Sequence, residues 1–169
     1  MRLLLAALVL GADPWTPLHR PLRLEPLAAG ARCPVTARHA LDHGRLSGLG
    51  RGPVYPTGFS FSTDRSHPGW LVSKTIWTWP AALRDKRVRV LARAGRLDGS
   101  GAVRFQLGPN WGSAPATREL RLDTTQTVGS WGRSRWGTTV MLLLVRKPGC
   151  YGLQLDTAAG TSKIVIRAR

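Results

Sequence analysis

The chain has 169 residues, 43% apolar and 20% charged, which fits one globular domain large enough to bury a core. Lysine and arginine outnumber the acids 25 to 9, and the formal charge of +16 favours anionic partners such as nucleic acid, acidic headgroups or wall polymers. Nineteen glycines and twelve prolines point to many turns and exclude a fold built on long helices.

In chain order, Met1-Arg2 followed by the apolar run Leu3 to Leu10 and then Gly11-Ala12 reads as a minimal secretory signal over residues 1–12. The run is too short to span a bilayer, and no other stretch qualifies as a transmembrane segment. Residues 13–32 carry Pro14, Pro17, Pro21 and Pro26 and read as an extended leader between the signal and the domain. The domain itself is expected over residues 33–169. Its first part offers the main helix candidate, Ala37 to Leu46; a second is a turn around Ala81-Ala82-Leu83.

Strand-like runs follow, separated by turn signals. Val54 to Phe61 is broken at Pro56, and Trp70 to Trp79 is stopped by Pro80. Arg87 to Leu97 sets Val88, Val90 and Ala92 on one face and Arg87, Arg89 and Arg93 on the other. Asp98-Gly99-Ser100-Gly101 reads as a hairpin turn, after which Val103, Phe105 and Leu107 point inward. Leu120 and Leu122 alternate with Glu119 and Arg121. Val140 to Val145 is continuous and apolar, as expected of a central strand covered on both faces. Tyr151, Leu153 and Leu155 alternate again, and Ile164 and Ile166 point inward in the last run. Short strands at this spacing predict an all-β fold, an antiparallel immunoglobulin-like β-sandwich.

The only two cysteines, Cys33 and Cys150, sit near opposite ends of this domain. They allow one pairing, so the sandwich is expected to be closed by one disulfide, and the chain to be secreted or held in the cell envelope. The alternative is a pair of buried thiols in a cytosolic protein. Cys33-Pro34-Val35-Thr36, Gly52-Pro53-Val54-Tyr55-Pro56, Gly95-Arg96-Leu97-Asp98-Gly99 and Pro148-Gly149-Cys150-Tyr151 follow one another in an order that resembles a group of uncharacterised secreted proteins from actinobacteria. The resemblance covers Cys33 to Arg169 and implies an exported, disulfide-closed β-domain. It carries no activity and no functional residues.

The residues offer little catalytic chemistry. His39 and His43 are four apart but lack the glutamate of a zinc-hydrolase motif, so they read as exposed loop histidines. Gly99-Ser100-Gly101 lacks the spacing of a nucleophile elbow. Glu25 and Glu119 are the only glutamates, too few acids for a paired-carboxylate hydrolase. No catalytic residue, metal ligand or cofactor is therefore expected, and no specific nucleic-acid motif is seen.

Binding is the sharper expectation. Candidate residues for an anionic envelope polymer or glycan are Arg87, Arg89, Arg104 and Arg121, expected together on one sheet face, and Trp111, Trp131 and Trp136 as sugar-stacking platforms. The plainer readings are arginines solvated on separate strands, a charge set by G+C-rich coding bias, and tryptophans that fill the core, Trp77 and Trp79 above all. Three functions stay open: a non-catalytic structural or interaction module of the envelope, a glycan or anionic-polymer binding module, and a small secreted hydrolase using His67.

Overall fold

A computed structural model gives the architecture and describes residues 13–108, 115–126, 129–130 and 135–169. The signal-like residues 1–12 lie outside the described residues, as do Trp111 and Trp131.

Twelve strands are formed among the described residues: β1 (His39–Leu41), β2 (Leu46–Gly48), β3 (Tyr55–Pro56), β4 (Ser62–Thr63), β5 (Leu71–Pro80), β6 (Arg89–Arg96), β7 (Val103–Leu107), β8 (Glu119–Asp123), β9 (Gly129–Ser130), β10 (Trp136–Val145), β11 (Gly149–Thr157) and β12 (Gly160–Ala168). All pairings are antiparallel. Sheet I has the order β3-β5-β10-β7, with β4 beside β5 and β9 beside β10; sheet II has the order β12-β11-β6-β8. β1 and β2 form a separate ribbon.

The two sheets share one core, which makes the fold a sandwich. Sheet I contributes Trp77, Trp79, Phe105, Met141 and Leu143; sheet II contributes Val90, Leu122, Tyr151, Leu153 and Ile164. Trp77 and Trp79 lie two apart on β5, face the same way and are fully buried. Gly137 pairs with Trp79 across the strands, and a Cβ there would fall 2.8 Å from Trp79 Cε2. The central strand expected at Val140 to Val145 is β10, paired on both sides by β5 and β7.

Two local expectations are corrected. Ala37 to Leu46 is no helix: it holds most of the β1–β2 ribbon, whose tip turns with Asp42 at φ 48° and His43 at φ 55°. The turn expected around Ala81 is present as one short helical piece, α1 (Ala82–Asp85). Asp98-Gly99-Ser100-Gly101 is no hairpin, because β6 lies in sheet II and β7 in sheet I. Asp98 is drawn instead toward β11: its Oδ2 accepts the Cys150 N–H at 3.0 Å while its Oδ1 accepts Arg96 Nε at 2.6 Å. The segment thus carries the chain from one sheet to the other.

The bridge Cys33–Cys150 is present, with Cα atoms 5.5 Å apart and a sequence separation of 117. It sits in a small cluster with Leu97, flanked by Leu24, Leu27 and Val165, separate from the core between the sheets. It therefore ties the N-terminal segment to sheet II, whereas an antibody domain's bridge joins its two sheets.

That N-terminal segment is the main departure from the sequence expectation. Residues 13–36 are not a spacer; they form a strap across the outer face of sheet II. Its prolines keep it extended and deprive it of donors for a ladder, so it docks through side chains and isolated backbone bonds. Leu27 N–H donates to Leu97 O at 2.7 Å, and Thr36 N–H donates to Val165 O at 2.9 Å. Gly95 and Gly152 pair directly across β6 and β11 and leave a notch in the sheet. Leu24 fills it: a Cβ at Gly152 would lie 2.9 Å from Leu24 Cδ2, and one at Gly95 would lie 3.3 Å from Leu24 Cδ1.

Candidate functional site

The arginines expected on one face divide between the two sheets. Arg104 lies on β7 in sheet I, away from the other three. Arg89 and Arg121 project from β6 and β8 on the outer face of sheet II, where both guanidinium groups approach the Trp15 ring of the strap, at 6.0 and 5.9 Å from its centroid. Both are also paired with acids. Arg89 Nε is 3.5 Å from Asp123, and Arg121 bonds Glu119 at 2.8 Å and Asp13 at 3.2 Å. Arg87, just before β6, adopts φ 45° and lies 3.9 Å from Asp123. Alternation had put these side chains outside the core correctly; it could not show that the strap's Trp15 and Asp13 would meet two of them.

Trp136 is half-buried and edge-on to Tyr55, with centroids 6.3 Å apart. It lines a pocket of about 210 Å³ with Asp42, Arg45, Leu46 and Ile76, a recess instead of a flat platform for a sugar ring. His67 is held on both ring nitrogens, by Asp64 at 3.2 Å and by Gln106 at 2.8 Å. His39 rests against Tyr55 on β1 while His43 sits at the ribbon tip, so the two do not share a helical face. Among the described residues no group of three or more His, Cys, Asp and Glu is placed to hold a metal ion.

A different set of cations does converge. The strap passes Arg20 and Arg23 beside β12, and the loop after β2 brings Arg51 to the same place. With Lys163, Thr161, Ser162 and Gln154 they line an open cleft of about 630 Å³. The floor is fixed by a buried polar network on the outward side of β11. Gln154 and Asp156 are almost wholly buried although alternation points them away from the core. Gln154 accepts the Arg23 N–H at 2.8 Å and donates to the Pro21 carbonyl at 3.0 Å. Asp156 accepts from Arg93 at 2.7 Å, from Thr161 Oγ1 at 2.6 Å and from Gln154 at 3.0 Å. Arg93 also donates to the Arg20 carbonyl. The bonds to Arg23 N–H and to the Arg20 and Pro21 carbonyls pin the strap, so Arg20 and Arg23 are carried on an ordered frame.

The frame leaves the cleft positive. Arg20 is 3.8 Å from the buried Asp156, which it shares with Arg93. Lys163 has Glu25 at 3.4 Å, but that carboxylate is 92% exposed at the rim. The side chains of Arg23 and Arg51 have no ion-pair partner among the described residues. No carboxylate lines the cleft, and the hydroxyls of Thr161 and Ser162 add donors between the cations. Guanidinium forks beside hydroxyls suit phosphate oxygens. The sequence carried a signal for this site in Lys163 and the run Arg20 to Arg23, but their meeting depends on the strap's path.

Compared with family models, curated proteins and solved structures, the chain finds no match, so the site is read from its own chemistry.

Proposed function

We propose that the protein is an exported, non-catalytic β-sandwich module that binds a phosphate-bearing polymer of the cell envelope. The observation that carries this reading is the cleft built from Arg20, Arg23, Arg51 and Lys163, lined by hydroxyls and by no carboxylate. Export is supported by the signal-like start and the Cys33–Cys150 bridge; among the described residues no helix is long and apolar enough to cross a membrane. A polymer is favoured over a small molecule because the cleft is open and carries several cations that neutralise separate charges. Within this cleft no aromatic side chain is placed to stack a base, so it offers single-stranded nucleic acid phosphate contacts only.

The test is binding of long-chain polyphosphate measured over a range of salt. The double variant Arg23→Ser/Arg51→Ser is compared with Arg84→Ser/Arg118→Ser, which removes the same charge from exposed positions elsewhere. The cleft pair is expected to weaken binding more than tenfold and to lower the slope of log K against log salt by roughly 1.4, two phosphate contacts at about 0.7 each. Equal losses in the two variants would show that bulk charge alone binds, and would overturn the reading.

A further inference from the structure

We propose that the bound polymer lies along the β12 edge and engages a second cationic cleft, so that tight binding requires a chain long enough to span both. This rests on the phosphate-polymer reading above and specifies how the ligand sits.

β12 is the edge strand of sheet II, and the first cleft meets it at Thr161 to Lys163. Further along, Arg167 on the strand and Arg169 just past its end join Arg38 around a second cleft of about 410 Å³, floored by Leu49, Phe59 and Phe61. No acidic side chain lines this cleft either. Arg38, Arg167 and Arg169 are exposed and without an ion-pair partner among the described residues. The Arg38 guanidinium lies against Gly58, whose φ of 146° and missing side chain admit it: a Cβ there would fall 2.8 Å from Arg38 Cζ.

The two clefts are linked by one chain segment and by β12. Leu49 belongs to the second and Arg51 to the first, and Gly50 between them lies against β12, where a Cβ would fall 3.0 Å from Ile164 Cδ1. Lys163 and Arg167 are four residues apart on the strand, a span of about 13 Å at ~3.3 Å per residue. Between them the edge is already satisfied. Thr36 N–H donates to Val165 O at 2.9 Å, and Val165 N–H donates to Thr36 Oγ1 at 2.8 Å. A partner strand cannot pair through that point, so what the edge offers is two groups of cations. A linear polyanion fits such an arrangement; a single phosphate reaches one group only.

The experiment is calorimetric titration with triphosphate and with long-chain polyphosphate. Triphosphate is expected to bind weakly, and the long chain on the order of 100-fold more tightly because its second contact becomes intramolecular. Arg38→Ser/Arg167→Ser is expected to abolish most of that gain while leaving triphosphate binding within about twofold, because the first cleft is intact. Arg23→Ser/Arg51→Ser is expected to weaken both ligands. If the long chain keeps its full advantage in Arg38→Ser/Arg167→Ser while the other pair weakens it, the two-cleft track is wrong and the single-cleft reading stands. If neither pair changes binding of either ligand, both readings fall. All four positions are exposed, and circular dichroism of each variant checks that the fold is kept.

Discussion

The two faces of strand β11 are buried equally and by opposite means. On the inner face Tyr151, Leu153 and Leu155 pack into the core between the sheets. On the outer face Cys150, Gly152, Gln154 and Asp156 are just as inaccessible, but what covers them is the strap, and what joins them to it is a disulfide, a glycine notch and a polar network. The inner face is held by apolar area, which any well-shaped set of hydrophobes supplies. The outer face is held by bonds that each need one partner in one place. Alternation therefore reports which way a side chain points, and says nothing of whether that direction leads to water.

The strongest way to break the comparison is to cut the bridge. In the chain-entropy picture, closing the loop of 117 residues stabilises by about 5 kcal/mol. Cys33→Ser/Cys150→Ser is expected to lose up to that amount in urea titration and to weaken polyphosphate binding, because Arg20 and Arg23 ride on the strap the bridge secures. Leu153→Ala should cost about 2–5 kcal/mol by opening a core cavity, yet leave binding unchanged while the protein is folded. If the double serine variant binds polyphosphate as well as the parent, the strap does not depend on the bridge for its placement.

Next in size is Asp156→Ala. It strips the half-buried Arg93 guanidinium of its carboxylate, at a cost of up to roughly 3–5 kcal/mol. Adding Arg93→Met is expected to restore much of the loss, since an uncompensated charge is then no longer buried. The same second change added to Leu153→Ala should restore nothing. Recovery in both backgrounds, or in neither, would mean that the outer face is held by packing like the inner one.

This contrast also explains what could be read from the chain beforehand. The core was legible: Trp77 and Trp79 two apart, the apolar run of β10 and the alternation of β11 each state a period that a sandwich must bury. The pairing of Cys33 with Cys150 followed from having only two cysteines. The strap was hidden because its contacts lie far apart in sequence and have no period. Arg23 meets Gln154 and Pro21 meets the same side chain, 131 and 133 residues away. Proline-rich composition looks the same in a free linker and in a docked strap. The one local clue was in the sheet: Gly95 and Gly152 sit inside strands, where glycine is unfavourable unless another backbone or side chain comes close. The same blindness misplaced the arginines, since Arg104 and Arg121 read alike as outward positions although they stand on different sheets.

The smallest effect separates the two faces by pH. Carboxylates around the strap and bridge titrate below their ordinary range. Asp13 is lowered from 3.8, first by the Trp15 N–H it accepts and then by Arg121. Asp98 is lowered from 3.8, first by its bond from Arg96 and then by the Cys150 N–H. Glu119 is lowered from 4.5: burial works to raise it, but the bonds from Arg121 and His19 outweigh that. A folded-state value below the unfolded one means that the stabilisation is complete above about pH 4.5 and is lost as pH falls through the folded values. The amide of Leu27, bonded to Leu97 O, should therefore lose protection from hydrogen exchange on acidification before the amide of Phe105 on β7, bonded to Thr117 O in the segment before β8. Exchange rates corrected for the intrinsic effect of pH measure both. If Leu27 and Phe105 lose protection together, strap and sandwich open as one cooperative unit, and the outer face of β11 is as much a part of the core as the inner.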